Sequence, residues 1–470
     1  MRQILASLFL GLAACSLGGA TALTEGAGRE WASPGGDSGK THHSRLTAIN
    51  AENVSRLGLA WAADLDTFRG QEATPVVVDG VLYTSGTAGR AYAFDAASGK
   101  ELWRFEPEVD MQVNRTVCCD MVNRGVAVAR GKVYVASLDG WMYALDARTG
   151  AVVWKSDFIE NRAKGDNSTG APEVAGDVVI IGMGGAEYDV RGYVTALDLD
   201  TGKLRWRWHV IPRDPKLGPQ ETPELEAALK TWDPNSRWDI GGGGSPWDAI
   251  NYDPETGLVL VGTGNGGPYA TSKRSPSGGD NLYLASLVAL DPKTGRMKWH
   301  YQETPGDNWD FTATQPMIFT RMDIDGENRP VVLHAPKNGY LYILDRRDGR
   351  LLRANPIVRT NWAKGIDPKT GELAFFGYNA AGPLTPALSF GSVNASGLVT
   401  RFERFEAPYA SMVHDFIVTE NHLLFPILPI TGSMERALRG RPPYAWEPEK
   451  GAYVGVMKRN GSTSDLVWFR

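Results

Sequence analysis

The sequence predicts an all-β chain built as a β-propeller, and three observations support this fold class. The 470 residues include 54 glycines and 15 tryptophans, a combination that suits many tight turns and one recurring aromatic position. The pattern A-F-D-A-A-S-G-K-E-L-W at residues 93–103 recurs at 144–154, 196–206 and 289–299. A weaker copy at residues 343–353 lacks the tryptophan. The first three copies lie roughly 50 residues apart, which is the length of a four-stranded propeller blade.

Each copy is predicted to be a strand, a tight turn through D-x-x-[S/T]-G, and a second strand that ends in tryptophan. Apolar runs such as residues 76–78 and 133–136 supply the other strands of each blade. The tryptophan is expected to pack between neighbouring blades. A helical solenoid is the competing interpretation of such a repeat, but β-branched alternation and glycine turns favour strands.

The composition and the first residues bear on location. Hydrophobic residues make up 42% of the chain and the net charge is -5, so a large core is expected and a nucleic-acid partner is not. Arg2 precedes an apolar stretch at residues 4–14 that is too short to span a bilayer, so residues 1–22 are predicted to be a signal peptide. Cleavage before Cys15 would leave a lipidated cysteine, whereas cleavage after Ala22 would remove it. The expected location is the periplasm, or its membrane surface if Cys15 is lipidated.

Two adjacent cysteines, Cys118 and Cys119, have two interpretations. They could be buried free thiols, or they could form a disulfide between neighbours. An oxidising compartment favours the disulfide, although the bond closes a strained eight-membered ring. Such a ring would be a rigid, flat and apolar platform.

Four segments then resemble one family in order along the chain. Residues 117–125, 185–194, 262–265 and 304–312 are similar to segments of the methanol and ethanol quinoprotein dehydrogenases. The resemblance extends from about residue 30 to about residue 370. It implies an eight-bladed propeller that holds pyrroloquinoline quinone (PQQ) on a calcium ion, here with its last blades missing.

The resemblance also implies a role for individual residues. Cys118 and Cys119 would cover one face of PQQ, and Trp247 would stack on the other. The remaining cofactor-binding positions would be Glu72, Arg124, Thr169, Gly185, Ala186 and Lys337. Glu187, Asn265 and Asp310 would ligate calcium, and Asp310 would also act as the general base.

The implied reaction is oxidation of a primary alcohol to an aldehyde by hydride transfer to the quinone. Calcium prefers oxygen ligands and polarises a carbonyl, while a carboxylate takes the hydroxyl proton. Thr312 stands where lanthanide-using members carry another carboxylate, which favours calcium. The sequence contains no C-x-x-C-H motif, so a separate electron acceptor such as a c-type cytochrome is expected.

From residue 366 onward the sequence resembles a different family. Segments 375–379, 405–416 and 442–451 are similar to the carotenoid and lignostilbene cleavage dioxygenases, propellers that hold Fe2+ on four histidines. The S-M-V-H-D-F motif makes His414 the one recognisable iron ligand. A single ligand cannot build that site, so His414 is expected to be a non-functional remnant.

The two resemblances meet at residues 366–371, I-D-P-K-T-G, which suit both families. The predicted domains are therefore a propeller at 23–365 and a dioxygenase-like fragment at 366–470, joined as a chimera or by an assembly artefact. Because the late blades are missing, PQQ affinity and activity are expected to be low. Two other functions remain open: a non-catalytic propeller lipoprotein scaffold, and an iron dioxygenase remnant.

Overall fold

The computed structural model describes residues 27–67, 69–358, 360, 376–378, 381–393, 399–413, 417–418, 422–458 and 461–470. These residues fall into two compact units. The first contains Met1–Lys337 and Tyr342–Leu352, and the second contains Asn338–Leu341 and Arg353–Arg470. The predicted signal peptide with Cys15, the junction at 366–371 and His414 lie outside the described residues. The statements about them, and the domain boundary at 365/366, stay predictions.

The first unit is built of four-stranded antiparallel sheets in which consecutive strands are neighbours, as expected of propeller blades. The strands of sheets 1 to 3 are β1 (Val76–Val78), β2 (Val81–Ser85), β3 (Ala91–Asp95), β4 (Glu101–Phe105), β5 (Ala127–Ala129), β6 (Lys132–Ala136), β7 (Trp141–Asp146), β8 (Val152–Asp157), β9 (Glu173–Ala175), β10 (Val178–Gly182), β11 (Tyr193–Asp198) and β12 (Leu204–His209). Those of sheets 4 and 5 are β13 (Ile250–Asp253), β14 (Leu258–Gly262), β15 (Ser286–Leu290), β16 (Met297–Gln302), β17 (Ile318–Ile324), β18 (Glu327–His334), β19 (Tyr340–Asp345) and β20 (Leu351–Pro356).

The repeated motif forms the turn between the third and fourth strands of each sheet. In sheet 2, the Asp146 carboxylate accepts hydrogen bonds from the backbone and hydroxyl of Thr149, each 2.8 Å long. Gly150 closes the turn with φ of 72°, a conformation in which a side chain would be strained. The D-x-x-[S/T]-G pattern is therefore explained by local geometry.

The tryptophan is the third residue of the fourth strand in sheets 1 to 4, so the strand continues past it instead of ending there as predicted. Its ring contacts the turn of the next sheet. Trp103 donates from Nε1 to the Ala147 carbonyl over 2.9 Å, and a Cβ added to Gly150 would lie 2.8 Å from the Trp103 ring. Trp154, Trp206 and Trp299 contact the Gly202, Gly295 and Gly349 turns in the same way. Trp61, ahead of sheet 1, contacts Gly99. The predicted packing of tryptophan between blades is confirmed.

Four buried clusters fill the spaces between successive sheets of the first unit. Strand β6 shows how one strand serves two of them. Val133 and Val135 pack towards sheet 1, whereas Tyr134 and Ala136 pack towards sheet 3. Because successive side chains of a strand point to opposite faces, both faces are buried and residues 133–136 are all apolar.

The arrangement of the first strand of each sheet determines where the candidate site lies. β1, β5, β9 and β13 lie next to one another in that order. The segments that lead into them, residues 69–75, 119–126, 166–172 and 241–249, therefore meet at one end of the first strands. Two longer connections reach the same region. One carries helix α1 (Pro223–Leu229), and the other carries helix α2 (Thr271–Arg274).

The second unit has its own core. Its sheets contain β21 (Phe376–Tyr378), β22 (Ala387–Val393), β23 (Val399–Glu406), β24 (Ile417–Val418), β25 (His422–Ile427), β26 (Ile430–Gly432), β27 (Tyr444–Trp446), β28 (Tyr453–Lys458) and β29 (Val467–Phe469), and helix α3 is Met434–Leu438. β25 lies between β24 and β28. Phe405 and Phe425 pack with ring centroids 4.7 Å apart in a cluster that includes Leu423 and Met457. Within the residues described in either unit, no helix has the length and apolar character needed to cross a membrane.

Candidate functional site

Arg124 lies where the segments before sheets 1, 2 and 3 meet. Its guanidinium is 2.7 Å from the Glu72 carboxylate. It also donates to the Thr169 hydroxyl over 2.7 Å and to the Thr169 carbonyl over 3.2 Å. Each of the three residues comes three or four positions before a first strand, which explains why residues far apart in sequence are brought together here.

The segment before sheet 4 adds an aromatic ring and a carboxylate to this group. The Arg124 guanidinium carbon is 4.6 Å from the centroid of the Trp247 ring, a cation–π contact. Arg124 Nε is 3.8 Å from an oxygen of Asp248. Desolvation raises the pKa of the Asp248 carboxyl, and the positive charge of Arg124 opposes the rise. Arg124 therefore contacts the Trp247 ring, which is the candidate stacking surface for the cofactor. It also contacts three polar residues, which are Glu72, Thr169 and Asp248.

Cys118 and Cys119 form a disulfide with each other, so the interpretation as two free thiols is wrong. Both residues are exposed, and Val117 anchors the segment in a buried cluster with Met121 and Leu138. Cys119 has φ of 69°, in the left-handed region that residues other than glycine seldom adopt. The disulfide is therefore an accessible apolar surface, and the buried Val117 side chain next to it anchors the segment.

Glu187, Asp310 and Lys337 form a second charged group. The Lys337 ammonium is 2.9 Å from an oxygen of Asp310. Desolvation raises the pKa of the Glu187 carboxyl; the negative charge of Asp310 adds to the rise and the positive charge of Lys337 opposes it. Two carboxylates and an ammonium are therefore close enough to influence one another.

Asn265 is tied to the Glu187 segment by a run of glycines at residues 241–244. Gly244 N donates to the Asn265 carbonyl over 2.8 Å, while Gly243 N donates to the Val190 carbonyl over 3.1 Å. All four glycines have positive φ. A Cβ added to Gly243 would lie 2.4 Å from Gly267 N, so these segments approach as closely as glycine alone permits.

Asn167 connects the disulfide segment with the Glu187 segment. Its side-chain nitrogen donates to the Thr116 carbonyl over 3.0 Å, and its own carbonyl accepts from Gly184 N over 2.9 Å. Thr116 lies two residues before the disulfide, and Gly184 precedes Gly185 and Ala186. The glycine run and Asn167 were both missed at the sequence level, because their roles depend on contacts between distant loops.

Ser245 is a further residue that the sequence did not single out. Its side-chain oxygen is buried and has no hydrogen-bond partner among the described residues. A buried hydroxyl without a partner is unfavourable, which points to a group that supplies one when bound. Its place two residues before Trp247, in G-G-G-G-S-P-W, is the only sequence signal that marks it.

The arrangement fits an acidic, flat cofactor and a hard cation. Arg124 and Lys337 supply positive charge, Ser245 supplies an unsatisfied hydroxyl, and Trp247 and the disulfide supply apolar surfaces. Among the described residues, no group of three or more His, Cys, Asp or Glu side chains is arranged to hold a metal ion. Glu187, Asp310 and the Asn265 amide would therefore need oxygen atoms of the cofactor to complete a calcium shell.

Propeller-type sheets that carry this set of side chains on the loops before their first strands and after their second strands define a quinoprotein-type propeller. Residues 31–361 match the profile of the PQQ family described as glucose/ethanol/alcohol dehydrogenase, β-propeller domain. The chain therefore belongs to this family. Residues 364–470 match a second profile, that of the retinal pigment epithelial membrane protein family. Two families are thus joined in one chain, as the sequence predicted.

Individual relatives agree with the first assignment. The chain is 54% identical over 348 residues to quinohemoprotein alcohol dehydrogenase ADH IIB of Pseudomonas putida, covering 74% of this chain and 50% of the relative. It is 46% identical over 345 residues to 1-butanol dehydrogenase (cytochrome c) of Thauera butanivorans, covering 73% and 49%. The crystal structure of the quinohemoprotein alcohol dehydrogenase from Comamonas testosteroni superimposes with a TM-score of 0.73 at 41% identity, covering 91% of this chain and 65% of that one. The chain spans about half the length of the curated relatives it matches.

Proposed function

We propose that residues 31–361 bind PQQ and calcium and take part in oxidising a primary alcohol to an aldehyde. The observation that carries the proposal is that the loops bearing two charged groups are tied together beside an accessible vicinal disulfide. One group is Arg124 with Trp247, and the other is Glu187 with Asp310 and Lys337. The family supports PQQ as the cofactor. The choice of calcium as the metal is supported by the oxygen donors of Glu187, Asp310 and Asn265. It is also supported by Thr312, a residue without a carboxylate, whose hydroxyl is 2.9 Å from that of Thr314.

PQQ, when bound, supplies a two-electron acceptor for the hydride of the alcohol, and a calcium ion polarises the acceptor. Arg124 would bind a carboxylate of the cofactor, because a planar guanidinium recognises carboxylates in a bidentate manner. Gly185 and Ala186 would approach the cofactor with their backbone, and Ser245 would donate its free hydroxyl. Trp247 and the disulfide would hold the flat ring from its two faces.

Asp310 would act as the base for the alcohol hydroxyl. The Lys337 ammonium binds Asp310 Oδ2 at 2.9 Å, which leaves Oδ1 as the oxygen that would take the proton. Electrons would then pass to a separate acceptor, for which a c-type cytochrome is the expected class. Because the match to the PQQ family stops at residue 361 and spans about half of the relatives, we expect weaker PQQ binding than in those relatives.

The first test is a PQQ titration of the purified full chain, followed by intrinsic fluorescence, with calcium and with a chelator. Saturable binding that needs calcium is expected. Arg124→Met should weaken it about tenfold or more, since a buried charge-assisted contact is lost. Arg130→Met is the matched control, because Arg130 forms exposed ion pairs with Asp177 and Asp200 in the turns of sheets 2 and 3.

Activity is measured as alcohol-dependent reduction of an artificial electron acceptor by the PQQ-loaded chain. Low turnover that disappears in Asp310→Asn is the expected result. If the chain fails to bind PQQ in the presence of calcium, or if Arg124→Met and Arg130→Met bind it equally, the proposed function is wrong.

A further inference from the structure

A segment that precedes sheet 1 contacts the first strands of several sheets. Trp31 pairs with Val77 of β1 through two backbone hydrogen bonds of 2.9 and 2.8 Å. The Gly39 carbonyl accepts a hydrogen bond of 2.8 Å from Phe319 N in β17. Residues 31–41, which we name the axial segment, therefore touch sheets 1 and 5 beside the ends of the first strands that carry the candidate site.

Lys40 extends these contacts to sheets 3 and 4. Its ammonium is 3.2 Å from the Glu173 carboxylate in β9 and 3.1 Å from the Ile250 carbonyl in β13. The other Glu173 oxygen accepts from Tyr252 N over 3.0 Å, so the ion pair joins two neighbouring first strands. The Lys40 side chain is only 12% exposed, which makes this ion pair much less screened by solvent than a surface pair.

The backbone holds Lys40 in this position. The Asp37 carboxylate accepts from Thr41 N over 3.0 Å and from the Thr41 hydroxyl over 2.7 Å, which closes a short loop around Lys40. Lys40 itself has φ of 50°, in the left-handed region that is unfavourable for a residue with a side chain. A lysine held in an unfavourable conformation with its ammonium buried suggests a specific role.

Asp248 lies two residues before Ile250, whose carbonyl binds the Lys40 ammonium. The Asp248 carboxylate lies 3.8 Å from Arg124 Nε. Arg124 and Lys40 both favour its charged form, whereas desolvation, the largest influence, and Glu72 favour the neutral form and raise its pKa. A negative charge at Asp248 would repel a triply acidic cofactor unless nearby cations offset it.

We infer that Lys40 is a positioning residue of the PQQ site that offsets the charge of Asp248 and so leaves Arg124 available to the cofactor. The inference rests on the proposed function. Without Lys40, Arg124 would be the one cation beside both Glu72 and Asp248, and the cofactor would compete with two carboxylates for it. The axial segment would thereby contribute to a site that the other elements line.

The test is a double-mutant cycle of Lys40→Gln and Asp248→Asn in the full chain. Glutamine removes the charge but keeps a donor for the Ile250 carbonyl. Lys40→Gln should weaken PQQ binding about tenfold at low salt, and the loss should shrink as salt screens the charges. In the Asp248→Asn background the same change should cost less than about threefold, because the charge that Lys40 offsets is gone.

A matched control is Lys132→Gln, since Lys132 is similarly buried at 19% exposure and forms an ion pair of 3.1 Å with Asp200, away from the site. It should leave PQQ affinity unchanged, and Lys40→Arg should retain most of the affinity. Equal losses from Lys40→Gln with Asp248 or Asn at position 248 would overturn the inference. Should Lys40→Gln not fold, Asp248→Asn decides alone: it should bind PQQ at least as tightly as the wild type, and weaker binding overturns the inference.

Failure of the proposed function gives a different result. If the wild type binds no PQQ, the proposed function is wrong, and the cycle is then read from urea unfolding of the cofactor-free proteins. Non-additive unfolding free energies would show that Lys40 acts on Asp248. Additive effects would show that Lys40 does not act on Asp248 and would overturn the positioning role.

Discussion

Replacing Gly243 by alanine should disturb the candidate metal site, although Gly243 carries no functional group. Gly243 has φ of 85°, and an added Cβ would lie 2.4 Å from Gly267 N and 2.7 Å from the Asn265 carbonyl oxygen. Both neighbours are backbone atoms, so neither can rotate away as a side chain could. The methyl group must push the Asn265 segment away from the Glu187 segment.

The cost has two parts. A left-handed conformation costs a residue with a Cβ about 1–2 kcal/mol, and overpacking adds about 1–3 kcal/mol. Gly257→Ala separates the two parts, because Gly257 has φ of 70° but no atom within 4 Å of the added Cβ. Gly257→Ala should therefore show the backbone cost alone.

The assay combines urea unfolding with calcium-dependent PQQ titration. Gly243→Ala should lose more unfolding free energy than Gly257→Ala, by about 1–3 kcal/mol. Its calcium affinity in the presence of PQQ should fall about 10–100-fold, as is usual when groups that orient metal ligands are displaced. Gly257→Ala should bind calcium like the wild type. If the two variants prove equal in both measurements, the glycine run does not position Asn265.

Three further changes test other parts of the molecule. Ser245→Ala removes a buried hydroxyl without a partner, so calorimetry should find the cofactor-free protein no less stable while PQQ affinity falls. Desolvation, with the charge of Asp310, raises the pKa of the Glu187 carboxyl. A carboxyl group whose pKa is raised by folding destabilises the folded protein at every pH above its unfolded pKa. Glu187→Gln should therefore stabilise the cofactor-free protein at pH 7, and this gain should be lost below about pH 4. Trp299→Ala should cost about 3–5 kcal/mol in urea unfolding, whereas Trp446→Ala, at a residue 64% exposed, should cost little.

The sheets could be predicted from the sequence because their signals are local. Asp146, Thr149 and Gly150 define one turn among themselves, and the tryptophan a few residues later defines the contact with the next sheet. A similar stretch at residues 253–257 joins β13 to β14, the first and second strands of sheet 4, instead of the third and fourth. The pattern therefore marks a hairpin but not its position within a sheet.

The candidate site could be predicted only in part. The positions of Glu72, Arg124 and Thr169 were inferred from resemblance, and their contacts follow from the adjacency of the first strands. The roles of Ser245, Asn167 and Lys40 depend on loops that meet across long separations, and no local pattern encodes such meetings. Arg124 over the Trp247 ring is likewise a contact between the segments that precede sheets 2 and 4.

The way the sheets hold together bears on the change of family after residue 361. In a repeat architecture, the stabilising contacts are mainly between neighbours. Trp103, Trp154, Trp206 and Trp299 each contact the turn of the following sheet, and the buried clusters join successive sheets. Every candidate PQQ or calcium residue lies at or before Lys337, upstream of the junction. Amplification of the source DNA across codons 340–400 will show whether one gene encodes both families. With either outcome, the proposed PQQ site consists of residues that lie before the junction, so the titration of the full chain tests that site directly.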